Sequence, residues 1–302
     1  MPFLGELLAL TGATCFAIAN VTISLGAVRK KGDNGALLSV IVTAAVSLLV
    51  WLLIGAECAL DHAPQAVLLG LAWFTASGLL TTVFGRITLF RSIQDLGVVR
   101  ASALKRLVPF FSAVLAFVIL GEVITGVMLG GMVLIAFGFG MLISRSFKAS
   151  AATLEGPPPA ASFLPGTASA LCYAFGYVTR KFGLGYLPDA VFGTLVSSIG
   201  ALAYYVLAAP FVADYRRAFR EAFSNVNRWQ LISAIVISIG QISLFAALQY
   251  SEISRVVMIA SLEIFISMFI AVVLLKTEAA PDRFTVGAAF LATGGVVLVA
   301  LG

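Results

Sequence analysis

Ala13-Thr14-Cys15-Phe16-Ala17-Ile18-Ala19-Asn20-Val21-Thr22 returns as Ala170-Leu171-Cys172-Tyr173-Ala174-Phe175-Gly176-Tyr177-Val178-Thr179. Ala, Cys, Ala, Val and Thr hold equivalent places, and Phe16 becomes Tyr173. The offset is 172 − 15 = 157. A second match pairs Pro109 through Glu122 with Phe265 through Glu278, at 278 − 122 = 156. A one-residue change in a loop explains the difference. The chain therefore reads as one unit written twice. In an apolar chain, such duplication marks a carrier that alternates access to a central site.

The composition requires a membrane. Apolar residues make up 61% of the chain and charged residues 11%, and mean hydropathy is +1.06. Soluble domains run near half apolar and a quarter charged. Cys15, Cys58 and Cys172 make no disulfide framework and read as small apolar fillers. The pI near 9.3 comes from loop Lys and Arg, so it reports topology and excludes nucleic acid as a partner.

A bilayer-spanning helix needs about twenty apolar residues. Ten runs qualify: 4–27, 36–56, 66–88, 98–119, 124–143, 163–182, 190–211, 230–250, 256–275 and 285–301. Gly126 and Gly130 form a GxxxG in the fifth, read as a helix-packing surface. Residues 144–162 are polar and contain Pro157-Pro158-Pro159, which ends any helix. They divide the chain into a first repeat, 1–143, a cytoplasmic linker, 144–162, and a second repeat, 163–302. Five crossings precede the second copy, so it enters from the opposite face. The expected fold is all-α, with ten helices in two inverted five-helix repeats.

Lys and Arg mark cytoplasmic loops. Arg29, Lys30, Lys31, Arg91, Arg100, Arg145, Lys148, Arg216, Arg217, Arg220, Arg228, Lys276 and Arg283 fall on one side. Only Arg180, Lys181 and Arg255 are assigned to loops on the other. Both termini are then expected outside the cytoplasm, with the first span as an uncleaved anchor.

Ala101-Ser102-Ala103-Leu104, Pro109, Leu120-Gly121-Glu122 and a Gly-rich fifth span resemble the EamA family of the drug/metabolite transporter superfamily. The resemblance covers nearly the whole chain. It implies ten helices in inverted repeats, a bacterial inner (plasma) membrane, and export or exchange of small metabolites, often amino acids. It implies no cofactor and no enzymatic activity. Phe265 replaces the usual second-copy proline, and Lys276-Thr277 the usual Leu-Gly. The loop charges favour an orientation opposite to that usual for these exporters.

An ionisable residue inside a span is a functional candidate, because its desolvation is expensive. Arg86, Lys105 and Arg106 form a basic funnel on spans three and four. Pro109 has no N–H for the carbonyl of residue 105, so span four bends where its charges lie. Thr82 lies one turn from Arg86. A carboxylate or phosphate is the natural ligand of such a funnel. Snorkelling to the headgroups is the bland alternative. Glu263, on span nine of the other copy, approaches Lys105 or Arg106 near the midplane. It suits either a proton-coupled gate or a fixed ion pair. Asn20 and Gln241 are polar groups that line the cavity or join helices. Glu122 and Glu278 fit helix caps.

No phosphate-cradling loop, metal-ligand cluster or activated nucleophile is present, so neither an enzyme nor an ATP-driven pump is expected. The reading is a secondary transporter for a small polar metabolite with an acid group. A flippase for an anionic lipid-linked substrate and a non-transporting scaffold are the alternatives. The partners are the solute, membrane lipid and protons as a candidate coupling ion. The chain is read as a monomer or homodimer.

Overall fold

The computed structural model describes residues 3–26, 36–54, 63–151, 159–224, 226–275 and 283–302. Every element among them is helical. Arg29, Lys30, Lys31, Cys58, Asp61, His62 and Lys276 through Glu278 lie outside the described residues.

The first half holds α1 (Leu4–Gly26), α2 (Ala36–Ile54), α3 (Pro64–Gly78), α4 (Gly85–Leu96), α5 (Val98–Lys105), α6 (Val108–Leu115) and α7 (Gly126–Ala151). The second holds α8 (Leu164–Tyr186), α9 (Ala190–Ala208), α10 (Ala213–Ser224), α11 (Arg228–Tyr250), α12 (Ile253–Ala260), α13 (Glu263–Phe269) and α14 (Arg283–Leu301). Among the described residues, nine helical stretches are long and apolar enough to cross a membrane. Helix α8 is 23 residues long but more polar, and is not one of them.

Span three is longer than its hydropathy predicts. It runs Pro64–Leu96 through a π-helical segment, Leu79–Phe84, that joins α3 to α4. Arg91 is thus helical, where the sequence places it in a loop. Gly97, at φ +80°, ends the span in a conformation that a side chain resists. Loop residues 213–224 also form a helix, α10. Its Ala218 and Ala222 are buried against Leu37 of α2, while Arg216, Arg217 and Arg220 stay exposed. Helix α7 continues to Ala151, past the expected linker start at 144.

Span four breaks at Arg106-Leu107, between α5 and α6. Pro109 is in the first turn of α6, and the peptide N–H groups of Arg106 and Leu107 donate to Ala103 and Leu104 carbonyls at 3.2 and 3.0 Å. The tight turn replaces the bond that Pro109 cannot give. Span nine breaks at Ser261-Leu262 without a proline. There the Ser261 hydroxyl donates to the Met258 carbonyl at 2.5 Å, a back-bond that bends helices. Both spans then end in π turns, Ala116–Leu120 and Ile270–Leu274.

The packing repeats with the sequence. Helix α1 lies along α11 as α8 lies along α3 and α4. Helix α7 pairs with α14, and α2 with α9. Gly240 lies against Gly12, and Phe16 lies against Gly240. Equivalently, Ser169 donates to the Gly85 carbonyl at 2.7 Å, and the Tyr173 ring lies against Gly85. These contacts set the local offset at 240 − 85 = 155.

The glycines of α7 divide by face. A Cβ on Gly131 would lie 2.5 Å from the Gly295 carbonyl, whereas one on Gly126 or Gly130 meets open space. Gly131 and Gly138, not the GxxxG pair, let α7 approach α14. Gly131→Ala is therefore expected to lower thermal stability in detergent by about 1–3 kcal/mol. Gly130→Ala leaves the melting temperature unchanged. Equal effects of the two would show that this contact does not join the helices.

Candidate functional site

One face of α8 organises the interior. Tyr173, Tyr177 and Arg180 stand at i, i+4 and i+7, so they share a stripe about 10 Å long. The Lys105 ammonium lies 5.4 Å from the Tyr173 ring centre. The Arg180 guanidinium lies 5.3 Å from Tyr177 and 4.5 Å from Phe245. Two cations thus cap a ladder of aromatic faces.

Lys105 has an exposed side chain, yet Tyr173, Glu263, Tyr177 and Arg86 all act on its charge. Its open surface therefore faces an internal cleft rather than lipid. Lys105 is the last residue of α5 and Glu263 the first of α13. Each charge suits the dipole of the helix end that carries it. The two breaks, one from each copy, place these charges near each other. They act on each other at longer range than a direct ion pair. Arg106 caps α5, and its Nη1 is buried without a hydrogen-bond partner among the described residues.

A second polar space adjoins this cleft. Ser39, Thr43, Thr81, Thr82, Thr194, Ser197 and Ser198 line it, with Arg86, Arg180 and Gln241. It offers about 30 Å³, room for roughly two or three waters. The lining is built from repeat pairs. At the offset of 155, Ser39 matches Thr194, Thr43 matches Ser198, and Arg86 matches Gln241. The sequence alignment at 156 matches Arg86 with Ile242; the equivalent packing of Gly85 and Gly240 moves the match to Gln241. The Arg86 guanidinium donates to the Ala36 carbonyl at 3.1 Å and the Ser39 hydroxyl at 3.4 Å. It is thus tied to the start of α2, between the hydroxyl-lined pocket and α10.

The EamA-like transporter family model matches residues 3–144 and 163–301. The chain belongs to this family. Its members are transporters, not enzymes, within the drug/metabolite transporter superfamily. No curated protein matches the chain by sequence. Among solved structures, a crystal structure titled only as that of a protein shares its fold. The TM-score is 0.71 at 16% identity, over 98% of this chain and 96% of that one.

Most expected site residues of this EamA-like chain converge. Arg86, Thr82 and Gln241 share the hydroxyl-lined pocket; Lys105 and Glu263 share the cleft. Pro109 is buried in α6 behind the break. Asn20 is exposed on α1 and is not among the pocket residues. Tyr177 stands at its repeat position, 177 − 157 = 20.

Sequence reading missed Arg180 and Lys181 by assigning them to a loop. Both lie within α8. Arg180 is 4% exposed, and its Nε donates to the Ser77 hydroxyl at 3.0 Å and its Nη2 to the Thr81 hydroxyl at 3.4 Å. The available signal was the Tyr-Tyr-Arg spacing on one helical face. Lys181 donates to the Leu248 and Ser251 carbonyls at 2.7 and 2.8 Å, where α11 leaves carbonyls unpaired. Arg255 also sits in a helix, α12, 3.8 Å from Glu6 and 3.6 Å from Glu252.

Glu122 caps a helix, but not the next one. Its carboxylate accepts from the Ile253 and Ser254 peptide N–H groups at 2.7 and 3.0 Å and from the Ser254 hydroxyl at 2.6 Å. It therefore ties the end of span four to the start of span nine in the other copy. Glu122→Ala is expected to destabilise the protein by about 1–3 kcal/mol, as for a charged acceptor lost from a helix start. Thermal unfolding in detergent measures it, and an unchanged midpoint rejects the cap.

Proposed function

We propose that this chain is a secondary transporter, an exporter or exchanger of a small polar metabolite bearing a carboxylate or phosphate. It works by alternating access, with ten crossings in two inverted five-helix repeats. Helix α8 supplies the tenth crossing, because 23 residues reach about 35 Å, enough for the hydrocarbon core. Five crossings on each side of the linker then require the copies to face opposite ways.

The observation that carries this reading is the meeting of Lys105 and Glu263. Matching breaks in spans four and nine offer one charge from each copy to one cleft. A solute acid group competes with Glu263 for Lys105. Protonation of Glu263 frees Lys105 for the solute, which couples the two movements. The pocket beside them holds a few waters in this conformation, so a metabolite enters only when the helices around it part. A fold of exchangeable halves provides two such arrangements.

The basic end of the molecule, with Arg91, Arg216, Arg217 and Arg220, faces the cytoplasm in this reading, and both termini face away. Moving Arg180, Lys181 and Arg255 out of the loops strengthens that assignment. The membrane is the bacterial inner membrane. Reporter fusions at Gly302 should score as non-cytoplasmic; a cytoplasmic score reverses the orientation.

Transport itself is tested in proteoliposomes loaded with amino acids, organic acids or phosphorylated solutes. Wild-type protein should exchange at least one labelled anion. The Arg86→Ala, Lys105→Ala double variant should run about tenfold or more slower, as for the loss of charge-assisted bonds. Equal rates would remove the basic cleft from the mechanism.

A further inference from the structure

Arg180 is a buried charge in the interior, 4% exposed. Among the described residues, hydroxyls and aromatic faces meet it: Ser77, Thr81, Tyr177 and Phe245. Arg86, on the same pocket, likewise meets only a carbonyl and a hydroxyl. Among the described residues, no carboxylate lines the pocket. Glu263, the acid of the adjoining cleft, acts on Lys105.

Two guanidinium charges in one small pocket repel each other, and burial makes each expensive. Hydroxyls satisfy N–H donors without cancelling charge. Aromatic faces recover only part of the lost hydration. The missing component is an anion. Thr81, which takes Arg180, lies five residues before Arg86, about 7.5 Å along the helix. Both arginines line the same pocket, so an anion held there meets both charges. Six of the seven pocket hydroxyls donate to backbone carbonyls, which leaves Thr82 as the further hydroxyl donor.

We infer that Arg180, with Arg86, forms an oxyanion subsite that holds the carboxylate or phosphate group of the transported solute. The inference rests on the transporter reading and adds a site on α8 that lies outside the Lys105–Glu263 cleft. Arg180 binds the group by its planar fork, and Ser77 and Thr81 hold the fork in place. Tyr177 separates this subsite from Lys105, so the acid group that competes with Glu263 for Lys105 passes along the tyrosine ladder to reach it. Helix α1 places Ile23 where α8 places Arg180 (180 − 157 = 23). Arg180 thus has no counterpart in the first copy, which contributes Arg86 instead.

Thermal unfolding of the detergent-purified chain with inorganic phosphate, succinate or glutamate tests the subsite, with glycerol as the neutral control. Wild-type protein should be stabilised by at least one of the three anions and not by glycerol. Arg180→Gln should weaken that anion's binding about ten- to hundredfold. Without ligand, Arg180→Gln should melt at the same temperature as wild type or higher, because an uncompensated charge has gone. A structural arginine predicts the opposite: a lower melting temperature with anion binding intact. That result, or no stabilisation of wild type by any of the anions, overturns the subsite. Should Arg180→Gln fail to fold, Arg180→Lys decides. It keeps the charge and loses the fork, so anion binding should weaken; unchanged affinity overturns the assignment. If proteoliposomes exchange a neutral solute while anions leave the protein unaffected, the subsite fails and the transporter reading stands.

Discussion

Backbone that leaves the helix inside a bilayer must be enclosed by protein, because lipid offers no hydrogen bonds. Spans four and nine both break, at Arg106-Leu107 and at Ser261-Leu262. The rest of the interior follows from enclosing those two breaks. Helix α6 packs on α12, so each broken span shields the other. Helices α1 and α8 close the sides. The enclosure also creates the only kind of place where Lys105 and Glu263 are tolerable: dry enough to strengthen their attraction, yet open to a cleft that holds water. Break and charge are one device. The turn ends a helix, and the free helix end stabilises the charge that sits on it.

The duplication was legible in the residues, and so was its consequence for packing. Cys15 and Cys172 anchor the alignment, and the paired contacts of Gly12 with Gly240 and Ser169 with Gly85 follow from it. Span existence was legible because uninterrupted apolar runs need no tertiary information. Span ends were less so. Arg91 reads as a loop residue, yet the helix continues to Gly97, since nothing before that glycine stops it. Arg180 reads as a loop residue for the same reason. Its charge ends the hydropathy signal, but tertiary partners on α3 and α11 carry the helix six residues further. A buried charge thus disguises itself as a helix boundary.

The breaks teach the converse lesson. Pro109 announces the first through its missing N–H. The second has Phe265 in that place, and no helix breaker marks it. Ser261 achieves the turn by a local back-bond, and Phe265 is free to stack on Phe139 at 5.9 Å. Equivalent geometry with unlike chemistry means that the fold constrains the break and leaves the residue that makes it open. The one-residue change in offset, from 156 to 155, belongs to the same class. Sequence alignment places Ile242 opposite Arg86, whereas glycine contacts select Gln241, because close backbone approach tolerates no slippage.

The copies are alike in frame and unlike in charge along a single wall. Helix α8 carries Tyr173, Tyr177 and Arg180 where α1 carries Phe16, Asn20 and Ile23. Phe16 and Tyr173 make the same contact with a glycine of the facing span, so the frame does not need the hydroxyl. The ladder is therefore an addition to the frame rather than a part of it. A symmetric frame keeps the energies of exchanged arrangements of its halves close, since each contact in one has a counterpart in the other. In the proposed cycle, the α8 wall keeps the same side chains of that copy on the solute in both arrangements. That division is what a carrier requires: helix packing that switches cheaply, and a ligand site whose chemistry does not switch with it.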